Sequence, residues 1–131
     1  MNRTVLAKLT IEGKLWTTNG ERSAKTWVSR AAATRHWREA AYYEARRRYV
    51  GQINPAIIHI QPVQRVGKLA DTAAHNPVAK AVIDGLVDAK VLIDDDPKHL
   101  FEIVFHAPRR GETEGMVITI IQATPEKEGE K

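Results

Sequence analysis

The chain contains no cysteine. Disulfides, thiolate metal centres and thiol nucleophiles are therefore excluded, and any metal must be held by oxygen or histidine nitrogen, a donor set that favours hard ions such as magnesium. Long apolar runs are missing as well, and the opening residues Met1 to Thr4 lack the apolar block of a secretory signal, so we expect a soluble, cytoplasmic protein that does not engage a membrane. The histidines, His36, His59, His75, His99 and His106, show no His-x-x-x-His spacing, which argues against zinc. No serine stands in a nucleophile elbow, no glycine loop resembles a nucleotide cradle, and there is no internal repeat.

What is present is charge, unevenly distributed. The formal net charge is only +4, but Gly20 to Val50 carries eight basic residues against three acidic ones, whereas Asp84 to Glu102 carries two lysines against six carboxylates. A basic segment and an acidic cluster in one small chain suit a protein that grips a polyanion and sets a divalent metal against it. Ordinary solvated surface charge is the competing reading.

With 131 residues, 43% of them apolar, the chain can bury the core of one domain, which we place at 1–124 with a charged, disordered tail at 125–131. Thr4 to Gly13 alternates with Val5, Ala7, Leu9 and Ile11 on one side, the period of a half-buried strand. Trp16 to Trp27 has no periodicity and reads as a loop with a turn at Asn19 and Gly20. A long helix is expected from Ser29, as its cap, to about Arg48, with Ala33, Trp37, Ala40 and Ala41 inward and Arg35, Arg38, Tyr42 and Arg46 facing solvent. Ala56 to Val63 reads as a strand that Pro62 confines to an edge or an exit.

Asn76 followed by Pro77 predicts a helix start capped by Asn76 and running to about Lys90. Within it Val78, Val82, Leu86 and Ala89 form the buried stripe, while Lys80, Asp84 and Asp88 recur every four residues on the other face. His99 to Ala107 and Met116 to Gln122 predict two strands joined as an antiparallel hairpin. The fold class expected is α/β (α+β): a mixed sheet of about four strands with two helices packed on it, in the order β-α-β-α-β-β.

Three adjacent carboxylates, Asp94, Asp95 and Asp96, repel one another unless solvated or neutralised by a cation. Magnesium takes one or two carboxylates plus waters and phosphate oxygens, so these are adequate ligands; a solvated loop is the alternative. Asp71, in the loop ahead of the second helix, is either a further carboxylate for such a site or a turn residue. Lys80 either contacts a phosphate or pairs with Asp84, four residues on. Arg35, Arg38 and Arg46 suit phosphate contacts because guanidinium pairs with phosphate in a fork, and a solvated helix face is the alternative. Trp37 is expected in the core, and Trp16 either on an unpaired base or at a subunit interface.

The segment from Lys80 to Asp96 resembles the RusA family of Holliday junction resolvases, in a divergent form of the actinobacterial or phage type. The family has a helix of the form Lys-x-x-x-Asp-x-Leu, a short turn, and a hydrophobic residue followed by Asp-Asp. Here these are Lys80, Asp84, Leu86, Ile93, Asp94 and Asp95. The resemblance implies a homodimeric endonuclease that binds magnesium through clustered aspartates and nicks opposite strands of a four-way DNA junction. It assigns Asp95 as the essential acidic residue, Asp94 as its neighbour and Lys80 as the catalytic lysine. Where the family commonly has Asp-x-Asp-Asn before the lysine, the gapless register has Ala74, His75, Asn76 and Pro77. Divergent members have one aspartate earlier in this loop, which makes Asp71 the remaining ligand. Arg35, Arg38 and Arg46, with Lys80, are the expected DNA contacts. A relative that binds branched DNA without cutting it, a nuclease of the same chemistry acting on flaps or replication forks, and a dimeric interaction module with a structural acidic loop are the rival readings.

Overall fold

The computed structural model describes residues 2–18 and 24–124. Its elements are β1 (Asn2–Glu12), α1 (Ala24–Arg47), β2 (Ala56–Gln64), α2 (Asn76–Asp88), β3 (Leu100–Phe105), β4 (Arg109–Arg110) and β5 (Gly115–Thr124). This is the expected mixed α+β architecture, with the two-residue β4 making five strands instead of four. The turn expected at Asn19 and Gly20 and the tail 125–131 lie outside the described residues. Among the described residues no helix is long and apolar enough to cross a membrane.

The sheet runs β1-β5-β2-β3, antiparallel at β1·β5 and β5·β2 and parallel at β2·β3, with β4 continuing beside β2 in parallel. The expected hairpin between the last two long strands is therefore not formed, because β2 lies between β3 and β5. After β3 the chain keeps to the edge of β2, where Val63 pairs with Arg109 and Gln64 with Arg110. The Pro108 to Gly111 turn signals mark this extension and not a reversal. The run Val117 to Ile121 is close to continuously apolar, in keeping with a strand that has neighbours on both sides, β1 and β2.

Pro62 sits inside the central β2 and not at an edge or exit. The carbonyls of Ile60 and Gln64 accept the amides of His106 and Gly111, so the backbone of Pro62, midway between them, turns to the same side. Pairing with β3 stops at Ile60 and pairing with β4 starts at Val63. The missing N–H thus falls in a gap of the ladder, where it breaks no bond.

Both helices cover one sheet face, where Leu9, Ile58, Ile60, Ile118 and Ile120 pack with Trp37, Ala41, Val78, Val82 and Leu86. Trp37 is in this core as expected, its indole N–H donating to the Lys14 carbonyl at 3.0 Å. Trp16 is buried too, with the Arg30 guanidinium over its ring, so it does not present a stacking surface. Of the strand residues expected together, Leu9 and Ile11 are buried but Val5 is exposed. A bulge between Val5 and Ala7 shifts the register against β5, and one extra residue sends every earlier side chain to the opposite face.

The first helix begins by Ala24, not at Ser29, which lies within it. Serine costs little inside a helix, so a cap-like residue alone does not locate the start. Asn76 is the first residue of α2 and makes no side-chain cap. The cap position is His75, whose buried ring meets the Trp16 carbonyl at 2.9 Å through Nδ1.

Candidate active site

The geometry of α2 follows from its two stripes. Val78, Val82 and Leu86 are fully buried against the sheet and α1, which leaves Lys80, Asp84 and Asp88 aligned on the outer face at four-residue spacing. The helix ends in a Schellman motif. Lys90 takes the left-handed conformation (φ 66°), its amide donates to the Val87 carbonyl, and the Val91 amide donates to the Leu86 carbonyl. Val91 and Leu92 are then buried, and the Val91 carbonyl accepts the Ile53 amide at 2.8 Å. This fastens the chain back along the helix and delivers Asp94 and Asp95 beside Lys80.

The Lys80 ammonium donates to Asp84 Oδ1 at 3.1 Å and also to Asp95 Oδ2. Lys80 thus pairs with Asp84, as the four-residue spacing allows, and also stands against the acidic loop. Asp94 turns its Oδ1 to the Asp95 amide at 2.8 Å, so the two carboxylates are ordered relative to each other. Hydrogen bonding to Lys80 holds the Asp95 carboxyl below the usual carboxylate range, reinforced by the lysine's charge against a small opposing effect of burial. Lys80 is raised in turn, first by the bond to Asp95. The group is solvent-facing, with side-chain exposure of 58% for Lys80 and 37% for Asp95.

Asp96 does not join this group. Its Oδ1 accepts the His99 amide at 3.1 Å and lies 2.7 Å from the His99 ring, closing the turn into β3. Asp71 is exposed on the loop that leads to α2, its backbone carbonyl accepting the Ala74 amide. Among the described residues no three histidine, aspartate or glutamate side chains converge closely enough to hold a metal ion, so Asp71 is not assembled with Asp94 and Asp95. The loop carrying it is itself fixed, since Gln64 Oε1 accepts the Ala70 amide and Gln64 Nε2 donates to the Lys68 carbonyl. In donor type the acidic loop fits a hard divalent cation, since Asp94 and Asp95 are two adjacent exposed carboxylates.

The expected DNA-contact stripe is divided. Arg35 and Arg46 are exposed, with Arg46 over the Tyr42 ring. Arg38, exposed as well, grips Asp88 with two hydrogen bonds of 2.6 and 3.0 Å. At the end of α1, Arg47 and the next residue, Arg48, both pair with Glu44. The Arg38–Asp88 fork ties the basic helix to the helix that carries Lys80, and sequence reasoning missed it because the partners are 50 residues apart. The available signal was the Lys80, Asp84, Asp88 repeat, which leaves Asp88 one turn beyond the reach of Lys80.

Arg38 lowers the Asp88 pKa, first through the hydrogen bonds and then through its charge, with burial opposing. A depressed carboxylate adds stability above its unfolded pKa of about 3.9 and loses it as pH falls through the folded value. Both side chains are well exposed, so Asp88→Asn should cost less than about 1 kcal/mol at neutral pH. Denaturant unfolding should show that difference vanishing in strong acid; an equal gap at both pH values would mean that the pair contributes through packing alone.

The chain matches no model of a known protein family, and no curated protein matches it in sequence.

Proposed function

We propose that this chain is a magnesium-dependent endonuclease that cuts branched DNA, acting as a homodimer on four-way junctions. The observation that carries the reading is the meeting of Lys80, Asp84 and Asp95 on one exposed surface, with Asp94 beside them. These are the positions at which the sequence resembles the junction resolvases, and residues fifteen apart need not have met. Asp94 and Asp95 would hold the ion, and Asp71, which is not grouped with them in the structure, would join them only through movement of the loop ahead of α2. Bound there, magnesium would neutralise phosphate charge and lower the pKa of an attacking water.

Lys80 stays protonated beside its two carboxylates and can turn one N–H toward the scissile phosphate or the departing oxygen. Arg35 and Arg46, on the exposed side of α1, supply phosphate contacts, and their affinity falls steeply with salt. Two subunits supply two cuts. A second reading, a branched-DNA-binding protein without cleavage, is favoured by the separation of Asp71 from Asp94 and Asp95 and by Ala74 and Asn76 standing where the family has acidic positions.

The test is incubation of the protein with labelled four-way junction, flap and linear duplex, with and without magnesium. Symmetric nicks in the junction that need magnesium are the expected result. Binding without nicks establishes the second reading, and absence of binding even at low salt removes both in favour of a protein-interaction module.

A further inference from the structure

On the sheet face turned away from the helices, a groove of about 440 Å³ runs across the strands. Its walls carry two permanent cations, Lys8 from β1 and Arg109 from β4, with His59, His106 and Thr119 between them and an aliphatic floor. Strand register explains the grouping. Lys8 and His59 are both partners of Thr119, so the three stand in one row across β1, β5 and β2. His106, just beyond β3, is brought over that row because Gln61 Nε2 donates to the neighbouring Ala107 carbonyl at 2.9 Å and pins the segment to β2. The two imidazoles are stacked at 29°, with His59 Nδ1 and His106 Nε2 2.8 Å apart.

The charge of this groove points one way. No carboxylate is among the lining residues, although Glu102, in register with Ile57, stands on the same sheet face beyond the lining. In the imidazole pair one ring nitrogen donates and the other accepts, so the pair is neutral or shares one positive charge. A cation entering here meets Lys8 and Arg109, whereas an anion meets two cations, a hydroxyl and the imidazoles above a floor of low polarity that strengthens the attraction. We propose that the groove binds phosphate groups, as free phosphate or as the phosphodiesters of a nucleic-acid backbone. The proposal goes beyond the nuclease reading and does not depend on it, because the groove and the Lys80 group lie on opposite sides of the sheet.

The experiment follows the imidazole NMR signals of His59 and His106 during titration with inorganic phosphate, with sodium chloride of equal ionic strength as reference, and separately with a short blunt DNA duplex. Saturable movement with phosphate beyond the chloride effect is expected. It should weaken by about tenfold in the double variant Lys8→Gln, Arg109→Gln. Both replaced side chains are exposed, so the remaining amide spectrum should be unchanged and a folding failure would be visible as such. If the duplex displaces phosphate, the source is a nucleic-acid backbone, and the double variant should also lower the slope of log affinity against log salt by about 2. If the duplex leaves these histidines unmoved while phosphate shifts them, the ligand is free phosphate or a small phosphate ester. Absence of a saturable shift with either probe, or equal affinity in the double variant, overturns the proposal. Junction cleavage by the same double variant is read separately, so failure of the groove and failure of the nuclease reading remain distinct.

Discussion

Asp95→Asn is expected to abolish junction nicking while leaving junction binding almost intact. The change keeps the size of the side chain and removes one negative charge from the loop that faces Lys80. If Asp94 and Asp95 hold the ion, Asp95 contributes to charge stabilisation in the transition state. Such a contribution of about 4 kcal/mol corresponds to a rate loss of about a thousandfold. On the proposed reading, binding would rest on other residues, chiefly the exposed arginines of α1, and should move little. The fold should also survive, because Lys80 keeps Asp84 at 3.1 Å and an exposed ion pair contributes less than about 1 kcal/mol. Thermal unfolding and gel-shift assays of the variant therefore serve as controls in the same experiment. Nicking at the wild-type rate would remove Asp95 from the site and with it the functional reading.

That expectation could be formed before any fold was known, because Lys80 and Asp95 are linked by one helix and one short loop. Four-residue spacing put Lys80 and Asp84 on one face, and the buried Val78, Val82, Leu86 stripe put that face outward. These are local regularities, which periodicity captures. The arrangement of the strands was not local. The edge position of β3 depends on β2 accepting it in parallel, and the Pro108 to Gly111 segment carries the same residue types whether it reverses the chain or extends along a neighbour. The Arg38–Asp88 fork was not legible for a related reason: an exposed arginine on a helix looks the same from sequence whether or not a carboxylate 50 residues away reaches it. The burial of His75 was not legible, because it depends on Trp16 and Gln64 arriving from distant parts of the chain. Asp71, Asp94 and Asp95 form no group able to hold a metal ion, although both loops adjoin α2.

Gly85→Ala should cost more stability than any surface change discussed above. Gly85 lies on α2 between Asp84 and Leu86, where α2 crosses α1. A Cβ placed there would come within 2.2 Å of the Arg38 carbonyl oxygen and 2.9 Å of the Ala41 Cβ. The first contact is with backbone, which cannot rotate away, so the helices must separate or one must bend. Overpacking of this kind costs about 3 kcal/mol, which for a chain of this length lowers the melting temperature by about 10 °C. The contrast is Gly51→Ala, where the added Cβ meets nothing within 4 Å and the change should stay within about 0.5 kcal/mol. The residue that Gly85 would strike, Arg38, is also the one whose guanidinium holds Asp88, and the neighbouring Asp84 holds Lys80. Separation of the helices should therefore loosen the Arg38–Asp88 fork and shift the Lys80 group relative to the basic face of α1. In Gly85→Ala protein that remains folded at low temperature, nicking should fall further than junction binding. Equal melting temperatures for Gly85→Ala and Gly51→Ala would contradict the close approach of α1 and α2 on which the geometry of the site depends.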